Sequence, residues 1–213
     1  MASARRTRTS GRALLDHDRG LGPRHVAGAD EAGRGALAGP IVAAAVLLRP
    51  GALDAGCLDH LDDSKRLRPA VRDALALEIR AVADAVSVVA IAAAAIDEIG
   101  IQAANLTALS RALDALEAPA DAALLVDGFA LPMQARPHRP LVKGDATSAA
   151  IAAASIIAKT TRDAIMARLD ADAPGYGFAD HAGYGTAVHR AAIAALGPCA
   201  AHRHSFAPIS RAA

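Results

Sequence analysis

Apolar positions along this chain fall into two rhythms, and the change between them predicts an alternation of strands and helices. Ile41–Leu48 is an unbroken apolar run, closed by Pro50-Gly51; being apolar on both faces, it predicts a strand near the middle of a sheet. Val26–Asp30 predicts a shorter strand that ends at the glycine turn Gly33-Arg34-Gly35, and Val86–Ala92 and Ala122–Asp127 predict two more. Helical spacing appears over residues 69–83, where Pro69 opens the segment, and over 103–117, where Leu106, Leu109, Leu113 and Leu116 share one face. Ser148–Leu169 predicts a long alanine-rich helix, and Val188–Leu196 a last one, stopped by Gly197-Pro198. Ile96–Gly100, residues 129–144 with their three prolines, and Gly175–Tyr184 read as connections.

This order predicts an α/β fold: a mixed β-sheet flanked by helices, with a C-terminal helical region. The expected division is a disordered basic tail over 1–22, an α/β core over 23–170 and a C-terminal helical region over 171–213, with order beginning at His25. With 213 residues, 53% of them hydrophobic, the chain can bury a sizeable core, and its alanine content predicts one built of small side chains.

Charge changes the picture through its distribution. The formal net charge is only +1, which argues against a general polyanion binder. Yet residues 1–25 carry Arg5, Arg6, Arg8, Arg12, Arg19 and Arg24 against Asp16 and Asp18, and residues 181–213 carry no acid. Arg136, Arg139 and Lys143 likewise stand without an acid between Asp127 and Asp145. Basic stretches flanking isolated carboxylates suit a metal-bearing nucleic-acid enzyme, and equally suit ordinary solvated surface. Cys57 and Cys199 form no disulfide framework, and no apolar stretch follows the first arginines as a signal peptide requires, so the expected location is cytoplasmic. The run Ile41–Leu48 is too short to span a bilayer.

Candidate chemistry begins with acids at strand ends. Asp30 and Glu31 end the first strand, Asp127 ends the strand that begins at Ala122, and Asp145 follows Lys143-Gly144. Each could simply cap a turn. Together, beside glycines and without histidine or cysteine partners, they suit Mg2+ or Mn2+ better than zinc. Neighbours on a strand face opposite sides, so Asp30 and Glu31 can share one site only if the strand ends or bulges near Gly33. Tyr176, Phe178 and Tyr184 gather three of the five aromatics within nine residues. Phe178 reads as core; Tyr184, between Gly183 and Gly185, reads as exposed and available to stack on a sugar or base. Gly33, Gly35 and Gly39 are wrongly spaced for a dinucleotide loop. Cys199, His202 and His204 lack a second ligand pair for zinc, and Ser205 with His189 lacks the surrounding motif of a hydrolase triad.

These segments carry a resemblance. Gly28–Pro40, with Asp30-Glu31 and Gly33-Arg34-Gly35, resembles the N-terminal signature of ribonuclease HII. Asp63-Ser64-Lys65, Asp127-Gly128 with Leu131-Pro132, and Lys143–Ser148 with Ile151–Lys159 resemble its next motifs; Tyr176–Phe178, His181–Thr186, His202-Arg203 and Ser205–Pro208 resemble its C-terminal ones. The likeness spans roughly residues 25–209 and departs from the family pattern around Gly100–Asn105. It implies a ribonuclease H-like sheet and a catalytic, metal-binding quartet of Asp30, Glu31, Asp127 and Asp145. It implies that Gly33-Arg34-Gly35 reads the ribose 2′-hydroxyl at an RNA–DNA junction, with Tyr184 packing there. Lys65, Lys143, Thr147 and Ser148 fall where the family contacts phosphates.

The implied substrates are RNA–DNA hybrids and duplex DNA containing ribonucleotides, cut by a monomer without membrane attachment. The expected mechanism uses two divalent ions roughly 4 Å apart and leaves 5′-phosphate and 3′-hydroxyl ends. Two other readings stay open: a non-catalytic hybrid-binding module, and a DNA nuclease or strand-transfer enzyme of the same general fold.

Overall fold

The computed structural model describes residues 11–22, 24–53, 56–61, 68–207 and 209. In chain order the elements are α1 (Gly11–Arg19), β1 (Val26–Ala32), β2 (Ile41–Leu48), α2 (Pro50–Leu53), a 3-10 turn (Gly56–His60), α3 (Pro69–Val82), β3 (Ala85–Ile91), α4 (Ala93–Ile99), α5 (Ile101–Asp114), β4 (Ala123–Asp127), β5 (Arg139–Leu141), a second 3-10 turn (Gly144–Ala146), α6 (Ala149–Asp172), α7 (Phe178–His181) and α8 (Ala187–Leu196). The five strands form one mixed sheet in the order β3-β2-β1-β4-β5. β2 pairs antiparallel with β1 and β3, while β4 pairs parallel with β1 and β5.

The two-residue pleat of β2 divides the core. All eight of its residues are buried. Ala44, Val46 and Leu48 join the cluster under α6, with Leu14 and Leu15 of α1 and Leu75 and Ile79 of α3. Ile41, Ala43, Ala45 and Leu47 face the other way, toward Ala104, Ala108, Leu109 and Leu113 of α5. The mixed sheet and the C-terminal helices agree with expectation, and the predicted bounds of β2 are those observed.

The long helix α6 lies directly against β1. A Cβ on Gly28 would come within 2.2 Å of the Ala150 carbonyl carbon and the Ile151 nitrogen, so only glycine lets strand and helix approach this closely. Ala149 to Ala158 is buried throughout, and its small side chains allow that approach. Among the described residues no helix is long and apolar enough to cross a membrane.

Four expectations are corrected. Residues 11–19 are not part of a disordered tail; they form α1, which buries Leu14, Leu15 and Asp18. Hydrophobic burial of the two leucines and the role of Asp18 described below explain the ordering; residues 1–10 lie outside the described residues. The segment expected as a connector at 96–100 is instead the end of α4, which begins at Ala93, together with its C-cap Gly100. The proline-containing loop includes β5, whose Pro140 is tolerated because the strand lies at the sheet edge. The glycine and aromatic loop contains the single-turn helix α7.

Asp18 ties α1 to the start of α6. Its Oδ2 accepts from the Ser148 hydroxyl at 3.0 Å and from the Ala150 amide at 2.9 Å. Ser148 in turn is the N-cap of α6 and accepts from the Ile151 amide. The buried carboxylate also faces the positive end of the helix dipole. Burial raises the Asp18 pKa, against the hydrogen bonds of His17, Ala150 and Ser148, which pull it down. Asp18→Ala strands a buried hydroxyl and an amide, and is expected to lower unfolding stability by about 2 kcal/mol. Urea titration measures this; a midpoint equal to wild type would contradict the capping role.

Candidate active site

The site forms where two parallel strands part. β1 pairs with β4 only as far as Ala29↔Val126, so Asp30 and Asp127 each stand one residue beyond the last pair. The expected end or bulge of the strand at Asp30 and Glu31 is not found. The strand neither ends nor bulges at the acids: Asp30↔Ala44, Glu31↔Ala43 and Ala32↔Val42 continue the register with β2. What ends is the pairing on the other edge, which opens a gap at the carboxyl ends of the parallel strands, a usual place for ligands in α/β sheets.

Asp30 is buried, 4% exposed. Its Oδ1 accepts from the Glu31 amide at 2.7 Å, and it hydrogen-bonds the Ser155 side chain on α6. Its pKa stands well above the ordinary carboxylate range, first because burial disfavours the charge and then because Glu31 and Asp127 repel it; the Ser155 and Glu31 hydrogen bonds oppose this. Asp127 Oδ1 accepts from the Gly144 amide at 2.6 Å, which holds the turn Gly144–Ala146 and thus the backbone of Asp145 against the end of β4. Asp30, Glu31 and Asp127 are therefore electrostatically coupled, and Asp145 adjoins the Asp127 contact.

An all-carboxylate oxygen set suits hard divalent cations, and the mutual repulsion at Asp30 is what a cation would relieve. In donor chemistry and charge the residues fit Mg2+ or Mn2+. Among the described residues, no three His, Cys, Asp or Glu side chains stand together as a finished ligand group, so the carboxylates would have to turn toward one another to share an ion. Ser205 hydrogen-bonds Asp97, and His189 hydrogen-bonds elsewhere, so they form no triad.

Beside the acids lies a cavity of about 700 Å³, lined by Glu31, Gly33, Arg34, Gly35, Lys159 and Tyr184 among others. Two fully buried arginines shape its glycine wall. Arg203 donates to the carbonyls of Gly33 (2.8 Å), Arg34 (2.9 Å) and Gly39 (3.0 and 3.1 Å). Arg162 donates to the carbonyls of Pro40 (2.9 Å), Ala38 (3.0 Å) and Ala182 (2.8 Å). Gly33 has φ +89°, and a Cβ there would overlap the Arg162 guanidinium at 1.8 Å, so glycine is required twice over. A Cβ on Gly35 would meet nothing within 4 Å, which leaves that backbone open to a ligand.

The other expected substrate residues divide. Tyr184 is 39% exposed and lines the cavity, with the Arg162 guanidinium 5.5 Å from its ring centroid, whereas Tyr176 and Phe178 stack at 5.3 Å inside a small C-terminal core. The Arg34 side chain donates to Gln102 Oε1 and lies over the Phe129 ring. Lys143 is exposed in a left-handed conformation, and the Thr147 hydroxyl donates to its carbonyl at 3.0 Å. Ser148 is corrected: it is fully buried and its hydroxyl caps α6, so it offers nothing to a phosphate. Lys65 lies outside the described residues.

A model of the family described as Ribonuclease HII matches residues 27–209. The chain belongs to the ribonuclease HII family. It is 50% identical over 194 residues to the ribonuclease HII of Mycobacterium avium strain 104, covering 91% of this chain and 82% of that protein. The fold is similar to the crystal structure of ribonuclease H2 from Pyrococcus horikoshii OT3, with a TM-score of 0.73 at 24% identity, over 88% of this chain and 96% of that one. It is also similar to Bst-RNase HIII solved in complex with Mn2+, with a TM-score of 0.69 at 22% identity, over 92% of this chain and 71% of that one. The family is one of endoribonucleases, so this chain is a ribonuclease H-type nuclease.

Sequence reasoning missed Ser155, Arg162 and Arg203 as site-shaping residues. Ser155 had a signal, being the one hydroxyl residue within the buried apolar face Ala149–Ala158. Arg203 had a signal only as part of the His202-Arg203 motif, which gave it no role, and Arg162 had none, because the partners of both are backbone carbonyls.

Two outcomes follow from these electrostatics. A raised carboxyl pKa in the fold contributes stability at acid pH that is lost as pH rises. Metal-free Asp30→Asn is therefore expected to melt above the wild type, by a gap that widens as pH rises above the ordinary carboxylate range; thermal scans in EDTA showing no gap would refute the coupling. Arg203→Lys keeps the charge but cannot span three carbonyls. It is expected to cost about 2–3 kcal/mol of stability through the carbonyls left unpaired, measurable by chemical denaturation.

Proposed function

We propose that this nuclease hydrolyses the RNA strand of RNA–DNA hybrids and incises on the 5′ side of ribonucleotides embedded in duplex DNA, leaving 5′-phosphate and 3′-hydroxyl ends. The observation that carries this reading is the adjacency of an acidic gap, at Asp30 and Asp127, to the cavity walled by Gly33–Gly35 and Tyr184. One part supplies reaction chemistry and the other recognises a sugar.

Asp30, Glu31, Asp127 and Asp145 would hold divalent ions, Mg2+ or Mn2+. When bound, such ions supply a nucleophile at neutral pH and a sink for charge on the departing oxygen. The chain's own contribution is to hold four carboxylates at the end of a rigid sheet, with Ser155 orienting Asp30 and the Gly144 amide orienting Asp127.

Ribose selection follows from the arginine clasp. In a trans peptide the N–H points opposite to the C=O. Arg203 draws the Gly33 and Arg34 carbonyls toward a buried guanidinium, so the amides of Arg34 and Gly35 are aimed away from it. Such fixed donors suit a 2′-hydroxyl, which DNA lacks. Losing that pairing costs about 1–3 kcal/mol, or roughly fivefold to 150-fold in rate. Tyr184 supplies a ring beside them for the sugar at the junction. Lys143 and Thr147, on the turn that follows β5, suit a phosphate, as does Lys65.

The deciding experiment is incision of a labelled duplex carrying one ribonucleotide. Cleavage is expected with Mg2+ or Mn2+ and none with EDTA, and the all-deoxy duplex should stay intact. Asp30→Asn should bind hybrid yet not cut it. Tyr184→Ala should lose preference for the RNA–DNA junction while keeping its melting temperature, since the ring is partly exposed. Cutting of the all-deoxy duplex would point to a DNA nuclease, and cleavage-free binding to a recognition module.

A further inference from the structure

Behind Tyr184 lies a buried pair of imidazoles that this chemistry leaves unused. His189 and His202 are both buried, with their Nε2 atoms 3.1 Å apart. At one end, His189 Nδ1 is 3.0 Å from the Tyr184 carbonyl oxygen. At the other, the Cys199 amide points at His202 Nδ1 across 3.0 Å.

These contacts fix where the protons are. A carbonyl only accepts, so His189 carries its proton on Nδ1 and, as a neutral ring, has a bare Nε2. An amide N–H only donates, so His202 Nδ1 is bare and the ring's proton is on Nε2. His202 Nδ1 also lies 3.2 Å from Cys199 Sγ and 3.3 Å from the Cys199 carbonyl; the amide is the shortest of the three contacts and can only donate, and the thiol can donate to the same bare nitrogen. The two ends, argued separately, give one direction: Cys199 N–H to His202, His202 Nε2–H to His189, His189 Nδ1–H to the Tyr184 carbonyl. A second proton on either ring would set donor against donor. Burial holds both rings neutral, pushing His202 down to about 4 and His189 downward as well, with each disfavoured further by a neighbouring histidine.

Each end of this chain touches a wall of the cavity. Gly183, next to Tyr184, accepts the amides of Leu37 and Ala38 at 2.8 and 3.3 Å. His202 bridges to Ala38 and directly precedes Arg203, which clasps the Gly33 and Arg34 carbonyls. Thr186 caps α8 at the His189 amide and so holds that ring in place.

The geometry points to His189 and His202 as positioning residues: a neutral, one-directional hydrogen-bond chain that fixes Tyr184 against the Gly33-Arg34-Gly35 loop and thereby sets the preference for an RNA–DNA junction. This rests on the function proposed above for those two elements.

Long-range proton–nitrogen NMR of the imidazoles, on the full chain at pH 7, tests the chain directly. His189 is expected as the Nδ1–H tautomer and His202 as the Nε2–H tautomer. The opposite tautomer in either ring, or a doubly protonated one, overturns the proposal. Kinetics test its consequence, as the ratio of kcat/KM on a single-ribonucleotide duplex to kcat/KM on a uniform hybrid. His189→Leu removes both contacts and should lower this ratio about threefold to tenfold. His189→Asn keeps an amide donor near the Nδ1 position and should restore most of it. An equal loss on both substrates, or no change of ratio in a folded Leu variant, defeats the positioning role. Should the wild type incise neither substrate, the functional reading fails, and the tautomers still decide whether the chain exists.

Discussion

Two guanidinium groups buried against backbone carbonyls hold the site together. Withdrawing an arginine from water costs several kcal/mol, and here the compensation comes from seven hydrogen bonds that Arg162 and Arg203 make to carbonyls. Burial lowers both pKa values, and the charge of Arg162 helps bring Arg203 to about 10, so Arg203 stays protonated at neutral pH. A cation satisfied only by carbonyls imposes a shape: the oxygens must turn inward, and the amides of the same peptides must turn outward. The glycine loop is therefore rigid for an electrostatic reason, and Gly33 is glycine because the guanidinium occupies the place of its Cβ.

Helix α6 brings this clasp to the acids. Ser155, Lys159, Arg162 and Met166 recur at helical spacing along it. Ser155 reaches Asp30, Lys159 pairs with Asp163 at the cavity, Arg162 grips the loop, and Met166 packs in the C-terminal core. Such a helix can serve all four only if it lies close to the sheet, which Gly28 and the buried alanines permit. Its start is anchored in turn by Asp18 of α1, an element that does not itself line the cavity.

Much of this was legible in the sequence where a local rule applied. Ile41–Leu48 was readable because eight apolar residues stand between Pro40 and Arg49. The acids were readable because polar groups at apolar strand ends break a pattern, and Tyr184 because glycines flank it. Helix α1 was hidden by its composition: Leu14 and Leu15 sit among arginines, and the partner of Asp18 lies 130 residues away. The clasp was hidden for a deeper reason, since a backbone carbonyl has no letter in the sequence. Ser148 misled because a hydroxyl beside Asp145 reads equally as a phosphate contact or as a helix cap, and only burial separates the two.

The acids and the clasp bear opposite relations to stability. Burial and repulsion at Asp30 disfavour its charge, whereas the guanidinium bonds favour the folded loop. An internal lysine or arginine on these oxygens would compete with the divalent ion that the proposed function places there. Arg162 and Arg203 are directed to carbonyls, and Arg72 and Lys159 to Asp163. The bonds to carbonyls keep the loop rigid beside the acids at the end of β1, so the residues that shape the glycine wall are distinct from the carboxylates to which the proposed function assigns an ion.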